Sequence, residues 1–184
     1  MLPAPIGIFL ASDGISRIPG GFGGTQKGDI VKIRPKTIWS MTLDGTGDTP
    51  TKTTVRGRDL ALTMDEPKDR GGTNLGLMPL ETMMAGLIGC TNVVSHKIAK
   101  ANDIDIEGMS VRAEVTVNSA GTRLVEEIDV PFPEVKLFIE FTTTSDRAAV
   151  EILKRDLRRY CAVSKVLQQA GSAVEEIWTV HHRP

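Results

Sequence analysis

Cys90 and Cys161 are the residues of this chain best suited to nucleophilic or redox chemistry, and they are its only two cysteines. A thiol reacts as its thiolate, which a helix N-terminus or a cationic neighbour stabilises. Cys161 has the stronger local setting: Arg158 and Arg159 stand just upstream, and a short helical pattern from Ser164 would turn backbone N–H groups toward the sulfur. Cys90 lies about eleven residues into a long helical pattern, beyond the reach of the helix dipole, so its activation requires an arginine supplied by tertiary or quaternary contact. Taken alone, a cysteine on an apolar helix is more often a small core residue than a nucleophile.

Other chemistries find less support. The three histidines, His96, His181 and His182, fall into no local Cys/His spacing of zinc-site type, so no metal is expected. His96 follows Cys90 by nearly two helical turns, a poor arrangement for direct contact. His181 and His182 lie near the end of the chain, where a solvated tail is expected. No G-x-S-x-G elbow supports a Ser-His-Asp site. The GGFGG stretch around Phe22 lacks the flanking strand and helix of a phosphate-binding loop.

The two cysteines must be positioned by a fold of one domain, since 184 residues suffice for one core and are too few for two comfortable ones. With 22 Lys plus Arg against 23 Asp plus Glu, no basic excess draws the chain to nucleic acid or an anionic membrane. No basic segment followed by an apolar run suggests export, so a soluble, cytoplasmic protein is expected. Two cysteines in a reducing compartment favour a transient, catalytic disulfide over a structural one.

Residues 1–35 form an arm too rich in Gly and Pro for a helix or central strand, and residues 36–184 form the domain. Alternation with β-branched residues predicts three antiparallel strands, in KTIWSMTL, TKTTVRGR and LALTMDEP, with Asp44–Asp48 as the loop between the first two. From Pro79 to Ala101 apolar residues recur at helical spacing, with proline at the favoured first position. The first half of this helix is apolar nearly all round, which requires burial on several sides. Strands follow at Met109–Val117 and Val135–Thr143, separated by an irregular stretch containing Pro131 and Pro133. A helix capped by Ser145 or Asp146, a short helix at Ser164–Ala170 and a strand at Val174–Val180 complete the order. Three strands, a helix, two strands, two helical pieces and a strand make an α+β fold.

The run Pro79-Leu-Glu-Thr-Met-Met-Ala-Gly-Leu-Ile-Gly-Cys90 resembles the first-cysteine helix of the OsmC/Ohr superfamily of thiol-dependent hydroperoxide reductases. Tyr160-Cys161-Ala-Val-Ser164 is similar to its second-cysteine motif, and the Asp65-Glu-Pro67 to Gly71-Gly-Thr73 approach is similar as well. The resemblance runs from about Lys36 to Val180. It implies an OsmC-like fold, with antiparallel sheets around a long buried central helix, in an intertwined homodimer with sites at the subunit interface. It further implies a peroxidase for organic hydroperoxides, with Cys90 peroxidatic and Cys161 resolving through a disulfide. Recycling would come from an external dithiol, with no cofactor. Arg58 best matches the family's thiolate-activating arginine, with Arg56 as the fallback, and Glu81 is the candidate partner carboxylate. Two positions depart from the family pattern. Leu80 stands where the hydroperoxide reductases carry that glutamate, one residue or about 100° of helix away from Glu81, and Ala162 replaces a usual proline. The other readings are a dimeric binding module holding an apolar ligand near Met83, Met84 and Leu87, and a redox sensor or scaffold whose thiols only pack.

Overall fold

The computed structural model describes residues 37–184, and a compact unit runs from Met41 to Pro184. The expected arm, residues 1–35, lies outside the described residues. The unit opens with an antiparallel meander of β1 (Asp44–Gly47), β2 (Thr53–Gly57) and β3 (Leu60–Met64). The first strand therefore falls on the segment expected to be a loop, and residues 37–43 form no strand. The turn that follows explains the shift. The Lys52 carbonyl accepts the N–H groups of Asp48 and Thr49 at 2.9 and 3.2 Å, and the Thr49 hydroxyl accepts the Lys52 N–H at 2.9 Å. This closed turn pairs Gly47 with Thr53 and Gly45 with Val55, whereas the apolar residues Met41 and Leu43 remain exposed with no core to draw them in.

Between β3 and the long helix, the chain is wound tightly around Asp65. This carboxylate is fully buried and accepts the Thr73 N–H at 3.0 Å, the Leu75 N–H at 3.2 Å and the Thr73 hydroxyl. These bonds, the Thr73 hydroxyl foremost, hold its pKa below the ordinary carboxylate value. The loop then lies so close to β3 that a Cβ on Gly72 would stand 1.8 Å from the Glu66 carbonyl oxygen, and one on Gly76 2.2 Å from that of Thr63. Only glycine permits that approach.

Helix α1 (Pro79–Ala101) has the bounds that its periodicity predicts. Its buried stripe is Met84, Leu87, Thr91, Ser95, Ile98 and Ala99, while Met83, Gly86, Gly89 and Val93 are exposed. Within the chain the helix is therefore covered on one side only. Strands β4 (Glu107–Thr116), β5 (Glu134–Thr143) and β6 (Ala173–His182) form the second sheet in that order. Between β5 and β6 the chain crosses over through α2 (Arg147–Tyr160) and α3 (Ala162–Gln169). That crossover makes β5 and β6 parallel, a departure from the wholly antiparallel sheets expected, because two strands joined through helices run the same way. Asp146 caps α2, accepting the Ala149 N–H at 2.8 Å. Val135, Leu137, Ile139 and Phe141 line one face of β5 and pack with Leu87 of α1, Leu153 and Leu157 of α2 and Leu167 of α3 into a single core. His181 and His182 are the end of β6 rather than a free tail. The strand extends because Arg183 N–H bonds the Thr143 carbonyl at 2.9 Å, and His181 Nε2 meets Glu140 at 2.7 Å.

Candidate functional site

The fold brings the two cysteines together. Cys90 lies at the edge of the buried stripe of α1 and is half-buried, while Cys161, in the single-residue joint between α2 and α3, is 1% exposed. Both are free thiols, and they stand close enough for Cys90 to influence the Cys161 thiol. The joint is held by its backbone: the Cys161 N–H bonds the Leu157 carbonyl at 2.9 Å, and the Lys165 N–H bonds the Cys161 carbonyl at 3.0 Å. Cys161 thus ends one helix and starts the next, so its side chain faces the first turn of α3.

Burial is the largest influence on the Cys161 thiol and pushes its pKa up to about 11, with the neighbouring Cys90 adding to the rise. The Ser164 N–H and the Thr91 hydroxyl act in the opposite sense. The Ser164 contribution matches the expectation that the short helix would turn an N–H group toward the sulfur. Arg158 and Arg159 play no such part. Arg158 pairs with Glu176 at 3.4 Å, and Arg159 with Asp156 at 3.7 Å, both with largely exposed side chains. Thr91 was not anticipated as a functional residue, and its only sequence signal is a hydroxyl next to Cys90.

The expected activating groups lie elsewhere in the protomer. Arg58 occupies the exposed two-residue tip between β2 and β3, with a left-handed φ of 58°, and forms no ion pair among the described residues. Arg56, on β2, is also exposed. The Glu81 carboxylate accepts the Met78 N–H at 2.9 Å and so caps its own helix. It precedes Cys90 by nine residues, or about 180° of rotation and about 13.5 Å of rise, and therefore faces away from the thiol. Glu81 was expected as the carboxylate partner of the activating arginine, and within the chain its carboxylate is engaged at the start of its own helix.

Glu81 instead lines a cavity of about 610 Å³ with Arg70, Leu80, Met84, Ile88 and Phe132. Of the residues expected around an apolar ligand, Met84 lines this space. Met83 is exposed on another side of the helix, and Leu87 is sealed in the core. Among the described residues no group of three or more His, Cys, Asp or Glu could hold a metal, and no helix is long and apolar enough to cross a membrane.

A family model described as "OsmC-like protein" matches residues 72–176, a span containing both thiols. A comparison with curated protein sequences gives no match. Among solved structures, an OsmC-like protein from Mycoplasma pneumoniae aligns with a TM-score of 0.67 and 16% identity, covering 78% of this chain and 99% of that one. An organic hydroperoxide resistance protein from Elizabethkingia anophelis gives 0.56 at 19% identity, covering 80% of this chain and 99% of its own. An organic hydroperoxide resistance protein OsmC from Legionella pneumophila gives 0.55 at 17%, covering 79% and 99%. At these identities the likeness is one of fold.

Proposed function

Because the chain belongs to the OsmC-like protein family, we propose that it is a thiol-dependent peroxidase for organic hydroperoxides, with Cys90 peroxidatic and Cys161 resolving. The observation that carries this reading is a half-buried thiol and a fully buried thiol brought close enough to influence each other, on elements far apart in sequence. Two of the structural relatives are organic hydroperoxide resistance proteins, which points the substrate class the same way.

In the proposed cycle the Cys90 thiolate attacks the distal peroxide oxygen. The S–O bond forms, the O–O bond breaks, and the leaving alkoxide takes a proton. The Cys161 thiolate then attacks the Cys90 sulfenic acid, forming the S–S bond as hydroxide leaves and is protonated to water. The disulfide shields Cys90 from further oxidation, and an external dithiol reduces it by exchange. A guanidinium next to Cys90 would stabilise both the thiolate and the developing alkoxide. Arg58 is the proposed donor, delivered by a second copy of the chain, since its hairpin tip is exposed in the protomer. The open α1 face at Gly86, Gly89 and Val93 offers that copy a helix surface of small residues.

The test is peroxide consumption with a dithiol reductant. Wild type should turn over cumene hydroperoxide, Cys90→Ser should abolish turnover, and Cys161→Ser should undergo one oxidation without recycling. A folded wild type with no turnover would refute the reading. The 610 Å³ cavity favours a second reading, a binding module for an apolar small molecule, because it lies on the side of α1 away from Cys90. A lipid-like molecule released on denaturation and identified by mass spectrometry, with no peroxide consumption, is the result that supports it.

A further inference from the structure

Thr91 is fully buried, and its hydroxyl makes no well-formed hydrogen bond in the resting, thiol state. A sealed hydroxyl without a partner costs stability, so its retention on a buried helix face calls for a reason. Helix α1 packs against α3, and across that contact the buried hydroxyl influences the buried Cys161 thiol. We infer that Thr91 is a positioning residue for the resolving thiol, its hydroxyl donating to the Cys161 sulfur as that sulfur becomes a thiolate and attacks Cys90. This inference rests on the two-cysteine cycle proposed above.

The chemistry fits the geometry. A neutral thiol is a weak acceptor, so the hydroxyl gains little from it, whereas a thiolate is a charged acceptor and makes the stronger bond. The bond therefore favours the reactive form over the resting one. Burial favours the protonated form of Cys161, so a donor to the thiolate acts against that bias. Two groups on different elements favour the thiolate: the Ser164 N–H from the first turn of α3 and the Thr91 hydroxyl from α1. The second sits one residue after Cys90, so the group that helps to ionise the attacker is fixed to the helix that carries the target. In the step itself Cys161 loses its proton, the S–S bond forms, the S–O bond of the Cys90 sulfenic acid breaks, and the departing hydroxide is protonated to water.

The experiment compares wild type, Thr91→Val and Thr91→Ser. After one equivalent of cumene hydroperoxide, dimedone trapping follows the Cys90 sulfenic acid, and thiol loss follows the disulfide. Thr91→Val, which preserves shape, should slow sulfenic acid decay about tenfold at neutral pH, the effect of removing one hydrogen bond to a charged group. Its rate profile should move to higher pH, and Thr91→Ser should restore both. A second arm does not depend on peroxide. With Cys90→Ser as background, thiolate absorbance at 240 nm, taken as the difference from the Cys90→Ser/Cys161→Ser protein, should fall at pH 10 on adding Thr91→Val and recover with Thr91→Ser. An unchanged thiolate fraction, or resolution at the wild-type rate with an unmoved profile, would overturn the inference. Absence of any trapped sulfenic acid in wild type would count against the peroxidase reading, and the absorbance arm would still decide the role of Thr91.

Discussion

Glu176 places a carboxylate on the core side of β6, beneath the last turn of α2, with its side chain only 3% exposed. Burial raises its pKa above the ordinary 4.5, and Arg158 and the Trp178 indole N–H offset only part of that rise. For a group raised in the folded state, the folded protein holds a proton that the unfolded chain has already released at pH values above 4.5. Its contribution therefore worsens as pH climbs from there and reaches its full cost above the folded pKa. Glu176→Gln keeps an acceptor for Trp178 and gives up a pair with an exposed arginine, which is worth little. The variant should melt higher than wild type at pH 7 by a few degrees, at about 2–4 °C per kcal/mol, and the gain should shrink as pH is lowered toward 4.5. Calorimetry across that range checks it, and a lower melting point at pH 7 would mean that the ion pair outweighs desolvation. Neither Glu176 nor Thr91 was legible in the sequence. Their importance comes from what lies across the core, and a strand Glu or a helix Thr reads like any other.

Among the elements, α1 was the most legible and the first meander strand the least. Proline at the first helical position and an apolar stripe sustained over six turns are local signals, and local signals bounded the helix correctly. The alternation in residues 36–43 was equally local but misleading, because a strand needs a partner in register and the turn at Asp48–Lys52 assigned that partner to Asp44–Gly47. The same contrast applies to Glu81. Its place in the first turn was readable as a helix-terminal charge, and in the structure its carboxylate accepts the Met78 N–H. Glu81→Ala should therefore cost about 1 kcal/mol of stability, as the loss of a cap does, when measured by urea unfolding. The rate of Cys90 oxidation by one equivalent of cumene hydroperoxide should stay within twofold of wild type, the expectation for a cap facing away from the thiol. A large fall in that rate would return Glu81 to the activating network.

At the scale of the whole molecule, the proposed role of Arg58 turns on whether a second copy brings it to Cys90. The helix read as apolar nearly all round is covered on one side in the protomer, and a Cβ on Gly86 or Gly89 would meet nothing within 4 Å. Small residues on an open helix face suit the close approach of a second helix, and the proposed two-fold pairing is one in which the hairpin of one copy meets the site of the other. The proximity of Cys90 and Cys161 belongs to the single chain, whereas the proposed delivery of Arg58 involves two copies. The hairpin tip holds Arg58 in the left-handed region. A left-handed residue other than glycine costs about 1–2 kcal/mol, and strain of this kind concentrates where function retains it. Arg58→Gly should thus raise thermal stability while abolishing peroxide turnover, and Cys90→Ser should abolish turnover as well. Mixing and reassociating the two inactive proteins decides the geometry. If Arg58 acts across the interface, half of the dimers are hybrids with one complete site each, and about a quarter of wild-type turnover returns. If Arg58 acts within its own chain, every hybrid site lacks either the arginine or the thiol, and the mixture stays inactive. Sedimentation of the wild type as a dimer, with recovery on mixing, would place the proposed site at the seam between two copies of α1.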